Sequence, residues 1–350
     1  MTALRLRLRP PTAARWADLG TYDDRTVFQT EAWLAFLAES QKGQIVVADV
    51  LDGATVVGRF SGLVVARFGV RMLGSSFPGW TTPYIGFNLR EGYARRDALG
   101  ALERFAFGDL GVLHVEVSDR GFVPEDGAAA GFQVGAYGTY ESDLTRDEAT
   151  LFAAMSSACR RCVRKAEKSG VRIEHADQDA FADEYYAQLQ DVFAKQGKVP
   201  TYPVERVRAL VRHTRGTDDA LLLRALAPDG TCIGTGIYPA HNRVAEFWGN
   251  ASWREYQHYR PNEALHWYAM RYWKARGVTT FDWGGGGAYK EKYGVVPATV
   301  PWFRKSRFRT LELLRSGARR AFDLRQRLVA RARLGADGGR DTVREADGEG

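Results

Sequence analysis

Four consecutive glycines, Gly284, Gly285, Gly286 and Gly287, sit between a helix–strand unit and a lysine-bearing turn. Residues 261–276 carry the spacing of an amphipathic helix, Gly277 is its stop, and 278–281 reads as a short buried strand. A strand that runs straight into backbone without side chains lets the chain approach another molecule closely. Lys290 and Lys292 follow at once, so open N–H groups and fixed positive charge share one loop. Such a loop suits an anion or a developing oxyanion.

The rest of the chain reads as a plan used twice. Thr30 caps a helix over 30–41 whose inner face is Trp33, Leu34, Phe36 and Leu37. Residues 44–52 and 55–67 form a hairpin around Asp52-Gly53, and 70–73 adds a strand. A Pro/Gly-rich aromatic loop at 78–86, a helix over 92–107, a buried strand over 111–117, a Gly/Ala-rich break at 124–131 and a strand near 132–140 complete the first half. The second half has a basic helix at 156–169, a strand at 171–174, helices at 178–196 and 203–214, strands at 220–227, 232–240 and 243–249, then helix 261–276 and strand 278–282. Helix, meander, helix, strand in both halves implies two tandem mixed α/β domains, expected at 15–145 and 146–305, after a loose lead-in at 1–14.

The glycine run with Tyr289-Lys290 and Gly294 resembles the signature of the FemAB-like acyltransferases of the GNAT superfamily. Further segments agree in order: Phe28-Gln29-Thr30-Glu31-Ala32-Trp33, the loop at 78–86, the basic stretch at 160–171, and Tyr259-Arg260-Pro261 with Leu265. The resemblance covers residues 15–305 and implies two GNAT-like domains, each a mostly antiparallel sheet flanked by helices. It also implies transfer of an activated acyl group to a primary amine, with the reaction at the interdomain cleft. Lys290, Tyr289 and Asp282 become the catalytic candidates. The backbone of Gly284–Gly287 would admit acceptor or acyl chain, and Arg161 with Lys165 would contact phosphates. Trp80 and Tyr84 either line the acceptor side or fasten their loop. Tyr202, Trp248 and Asn250 join the binding candidates, with a core role open for Trp248. Asp282 is either a base or a loop cap.

Two departures from the family pattern bear on the substrates. The stretch 258–264 has no glycine, whereas CoA-binding relatives place a glycine loop there to cradle a pyrophosphate. The first helix, 33–38, lacks the lysine that cell-wall-precursor enzymes use for an acceptor diphosphate. No Gly-x-Ser-x-Gly elbow or nucleophile–base order appears, which fits direct transfer without an acyl-enzyme. The donor expected is therefore aminoacyl-tRNA, with no permanently bound cofactor. An acyl-CoA-dependent N-acyltransferase and a non-catalytic binding module stand as alternatives.

Charge supports a polyanionic partner. The net charge is +7, yet residues 304–333 hold eleven Lys/Arg against two Asp/Glu, a net of +9, leaving −2 for the remainder. A basic helix at 306–334 would hold tRNA by phosphate neutralisation, or it is simply a solvated face. An acidic, glycine-rich tail at 335–350 is expected to be disordered. No stretch reaches the ~20 apolar residues of a membrane span, and the N-terminus alternates arginine and leucine unlike a signal peptide. Three cysteines argue against a disulfide framework, so a cytoplasmic setting is expected. Cys159 and Cys162 have C-x-x-C spacing, but inside a helical pattern they read as small helix-face residues rather than metal ligands.

Overall fold

The computed structural model describes residues 3–16, 22–67, 69–176, 180–194, 197–308 and 310. The expected basic helix at 306–334, apart from its first residues, and the tail at 335–350 lie outside them. Residues Met1–Arg304 form one compact unit and Lys305–Gly350 a second. In the second, the Arg307 guanidinium lies 5.7 Å from the Phe308 ring centroid.

The first half runs β1 (Arg5–Leu8), α1 (Glu31–Gln41), β2 (Gln44–Asp52), β3 (Thr55–Arg67), β4 (Val70–Ser75), β5 (Phe87–Leu89), α2 (Arg95–Arg104), β6 (His114–Ser118), α3 (Pro124–Ala129) and β7 (Gln133–Asp143). The second runs α4 (Glu148–Ala154), α5 (Ser157–Lys168), β8 (Arg172–His175), α6 (Ala180–Ala194), α7 (Val204–Thr214), β9 (Ala220–Leu226), β10 (Cys232–His241), β11 (Val244–Glu246), β12 (Gly249–Ser252), α8 (Pro261–Ala275) and β13 (Thr280–Asp282). A short 3-10 turn (Ala288–Tyr293) and β14 (Val296–Ser306) end it.

Local chemistry explains much of this order. Thr30 accepts from the Trp33 N–H and starts α1, and the four expected inner-face residues of that helix are buried. Gly53, at φ 59°, makes the turn between β2 and β3. Three expectations need correction. The lead-in contains β1, because Leu4 and Leu6 are buried and Arg5–Leu8 pairs with β2. The Gly/Ala-rich break is α3, started by Pro124 and capped by Asp126, which accepts from the Val123 N–H at 3.0 Å. The strand expected at 243–249 is two strands, β11 and β12, parted by Phe247 and Trp248.

The strands form one mixed sheet in the order β1-β2-β3-β4-β6-β14-β7-β13-β11-β10-β9-β8, with β5 added to β3 and β12 to β10. The last strand of each half sits with the other half: β14 lies beside β6, and β7 pairs antiparallel with β13. Alternation across the pleat builds the cores. Val47 of β2 and Leu222 of β9 face a core shared by α1, α6 and α7 of both halves. Val46 and Ala48 face the core under α2, while Leu221 and Leu223 face the core under α5 and α8. One apolar layer thus ties the two halves together.

Candidate active site

The two halves open in the same manner. β4 and β5 both pair with β3, at opposite ends of it, and β6 runs parallel beside β4. In the second half β11 and β12 both pair with β10, and β13 runs parallel beside β11. Beyond Glu246↔Asp282 the parallel pair ends. The Phe247 N–H makes a last bond to Asp282 O at 2.7 Å, after which Trp248 turns to Ile237 O at 3.1 Å. The chain after Asp282 becomes the glycine run. The result is a fork with β12 on one side and bare backbone on the other.

The glycine run has its shape from Lys290. This side chain is only 3% exposed and donates to three carbonyls: Trp283 O at 2.6 Å, Gly285 O at 3.1 Å, and Gly284 O. Lys290 therefore does not present its ammonium group to a ligand directly, as the sequence had implied. Burial pulls its pKa down, while Glu246 and Asp282 act to hold it up. Gly284 and Gly285 have φ of 59° and 65°, a conformation side chains rarely adopt. A Cβ on Gly284 would fall 2.7 Å from Glu246 Oε1 and 2.8 Å from Phe247 O. Among the described residues, the N–H groups of Gly285 and Gly286 make no hydrogen bond. They belong to the same peptide units as two of the carbonyls that Lys290 grips.

Asp282 is 1% exposed and fully engaged. It accepts from Thr139 Oγ1 at 2.6 Å, Arg120 Nη1 at 2.8 Å, the Gly284 N–H at 3.0 Å and Tyr84 Oη at 3.2 Å. Four donors leave it no free lone pair for a substrate proton, so it braces the strand end. Arg120 also binds Glu141 at 2.6 Å and lies over the Tyr84 ring at 5.2 Å. Beneath the loop, Trp283 stacks on Tyr293 at 4.4 Å beside Tyr238, Phe247 and His266. Burial pushes His266 down to about 3, so it is a neutral ring bonded to Tyr238 Oη at 3.0 Å.

The remaining candidates divide. Tyr202 and Trp248 meet at 5.5 Å, Tyr202 bonds Tyr185 Oη at 3.0 Å, and Asn250 donates to Asn262 at 2.8 Å. These three line the β12 side of the fork, and Trp248 Nε1 is buried with no acceptor among the described residues. Tyr84 is buried and reaches the site only through Asp282, whereas Trp80 packs on Phe77 at 5.1 Å in the shared core. Arg161 and Lys165 are exposed on α5, and Tyr289 is exposed at the loop. Arg160 instead clasps the preceding turn through Ala153 O, at 2.8 Å, and Met155 O.

Sequence reasoning missed Arg120 and Glu246. Glu246 is 3% exposed, its Oε2 has no hydrogen-bond partner among the described residues, and burial together with Asp282 pushes its carboxyl well above the usual range. An acid in the apolar run Val244-Ala245-Glu246-Phe247 was the available signal. Cys159 is a buried helix-face thiol raised to about 12 by burial, and Cys162 is half-buried. Among the described residues no group of three or more His, Cys, Asp or Glu is arranged to hold a metal ion.

The sequence profile of the acetyltransferase (GNAT) domain matches residues 153–293, which contain the fork and the glycine run. No curated protein matches the chain in sequence. Among solved structures, FemX superposes with a TM-score of 0.68 at 12% identity, covering 84% of this chain and 96% of its own. L-PGS from Bacillus licheniformis gives 0.53 at 13%, covering 87% and 94%. A tandem GNAT protein from the clavulanic acid biosynthesis pathway gives 0.50 at 13%, covering 87% and 98%. At these identities the likeness is one of fold, and it extends over both halves. Residues 153–293 thus match the acetyltransferase (GNAT) domain, set within a fold that the chain shares over both halves with FemX and with the tandem GNAT protein.

Proposed function

We propose that the chain transfers an aminoacyl group from aminoacyl-tRNA to a primary amine at the second fork, forming an amide. The observation that carries this reading is the Lys290 clamp. Its charge polarises the peptide units whose N–H groups, on Gly285 and Gly286, are free to meet the oxyanion of the tetrahedral intermediate. Lys290 thus acts through two peptide bonds rather than by contact. Trp248, Asn250 and Tyr202 form the opposite wall, which holds the acyl group in line for attack. The exposed Arg161 and Lys165 on α5 supply contacts to donor phosphate.

The start of α8 favours a tRNA donor over acyl-CoA. A pyrophosphate cradle needs free N–H groups at a helix N-terminus. Here Pro261 contributes none, and the first turn carries the carboxylate of Glu263, paired with Lys292 at 2.6 Å. A diphosphate placed there would lack the Pro261 N–H and would have to compete with Glu263 for Lys292. The +9 segment at 304–333 is the natural grip for a tRNA backbone, which fits work in the cytoplasm. The two domains of this reading are 15–145 and 146–305, with the fork in the second.

The test offers the full chain charged tRNA and acetyl-CoA in parallel and follows amide formation. Transfer from charged tRNA, with affinity that falls steeply with salt and weakens on truncation after Arg307, is the expected result. Transfer from acetyl-CoA alone, or tRNA affinity untouched by the truncation, contradicts it. No transfer from either donor favours a binding module.

A further inference from the structure

The buried acid beside the glycine run takes no part in gripping the loop or in polarising its N–H groups. Glu246 ends β11 opposite Asp282, with Oε1 against Gly284 and Oε2 unpartnered among the described residues. An unpaired polar atom buried in a core is costly, so its retention calls for a ligand-bound state that satisfies it. The groups around it decide its charge. Asp282 on β13 and Glu141 on β7 oppose ionisation, while Arg120 and Lys290 favour it. Both cations are already committed, Arg120 to Asp282 and Glu141, Lys290 to three carbonyls. Tyr137 and Tyr84 are buried phenols held neutral. Burial and its acidic neighbours favour the neutral, proton-bearing carboxyl, and Oε2 has no hydrogen-bond partner among the described residues.

We infer that Glu246 is a catalytic residue of the second fork, the acid that protonates the leaving oxygen of an oxyester donor. The inference rests on the aminoacyl-tRNA reading and sharpens it. The amine nitrogen attacks the ester carbonyl carbon, and its oxygen takes negative charge against Gly285 and Gly286 N–H. As the carbon–oxygen bond to the ribose breaks, the Oε2 proton passes to the departing ribose oxygen. The resulting carboxylate then takes a proton from the new amide nitrogen, which restores the acid. No other reactant is needed, and the balance closes on amide and free ribose hydroxyl. A thioester donor would not need this acid, because a thiol with pKa near ~8.5 leaves readily as thiolate.

The experiment compares the full-length parent with Glu246→Gln, using total tRNA charged with labelled amino acids and, separately, aminoacyl-CoA thioesters. Hydroxylamine serves as the small amine acceptor, and enzyme-dependent hydroxamate is measured. Glu246→Gln is expected to slow transfer from the tRNA ester by on the order of a hundredfold and to spare the thioester. The parent's ester rate should fall as pH rises through the acid's pKa, and the variant should lack that limb. Equal losses with both donors, or no loss with either, overturn the inference while leaving the tRNA reading intact. Failure of the parent itself to use charged tRNA overturns the tRNA reading, and the acid role falls with it. The parent is also expected to show an infrared band of a protonated carboxyl at neutral pH, absent from Glu246→Gln or Glu246→Leu, whichever folds. Absence of that band in the parent overturns the inference without any activity measurement.

Discussion

The two forks share a strand plan and differ in what fills them. Between β4 and β5 lie residues 76–86, whose aromatic side chains turn inward: a Cβ on Gly74 would run into the rings of Phe77 and Trp80. Between β11 and β12 lie only Phe247 and Trp248, and the facing chain is glycine backbone held from below by Lys290. The first fork is closed by its own insertion, the second is left with unused N–H groups and an unused acid. The insertion does serve the second fork, because its Tyr84, together with Arg120 just after β6, braces Asp282 from the first half. The first half thus closes its own fork and braces the fork at which the chemistry is proposed.

Substitutions that treat the two forks alike should have unlike effects. The largest is expected at Lys290. Lys290→Met strands three carbonyls and removes the charge behind two donors, so turnover should fall on the order of a hundredfold or more. Lys290→Arg should not restore it, because a planar guanidinium cannot reproduce the three-carbonyl grip. Near-parental single-turnover rates in Lys290→Met would remove the clamp from the account.

The glycines make a matched pair. Gly284→Ala strains a residue at φ 59° and presses on Glu246, so a displaced loop should cost up to about a hundredfold in rate. Gly74→Ala overpacks Phe77 and Trp80 and should cost about 1–3 kcal/mol of stability, with turnover of the folded protein unchanged. Denaturant unfolding beside single-turnover kinetics reads both. If both glycines behave alike, the forks are not functionally distinct.

Glu246 also gives a stability signature. Its pKa is raised on folding, so the unfolded chain ionises first and the stability that protonation contributes is lost as pH rises. Above the ordinary glutamate value of about 4.3, and up to the raised one, the parent should lose ~1.4 kcal/mol per pH unit relative to Glu246→Gln. Unfolding midpoints for both proteins across that range check it, and parallel curves would show an ordinary carboxylate. The smallest effect is at α5: Arg161→Ala and Lys165→Ala should weaken tRNA binding a few-fold each at low salt, fading as salt rises. An equal effect at high salt would assign them another role.

What the sequence made legible was local. Thr30 as a cap, Asp52-Gly53 as a turn and the glycine–lysine order all announce themselves within a few residues. The Asp147 cap of α4, which accepts from the Thr150 N–H at 2.8 Å, was equally local and went unread. Pairing over long distances was not legible. β14 holds Pro297 and Pro301, which count against a strand, yet it pairs with β7 through nine register positions. Glu246 looks like any polar residue in a strand until β13 lands beside it. Lys290 stood out as a catalytic candidate, but the direction of its side chain depends on carbonyls offered by Gly284 and Gly285, which no spacing encodes. The fold class was readable because its pattern repeats, and the site only in part because its members come from β6, β7, β11 and β13.

Acyl transfer at the second fork can be tested by seeing where a donor binds. The most direct measurement is a crystal structure of the full chain with a 3′-terminal adenosine carrying an amide-linked amino acid in place of the ester. The amide carbonyl oxygen is expected within hydrogen-bond distance of the Gly285 or Gly286 N–H, with the ribose oxygen position beside Glu246. Density for the aminoacyl group against Phe77 and Trp80, or anywhere away from the glycine run, would contradict it.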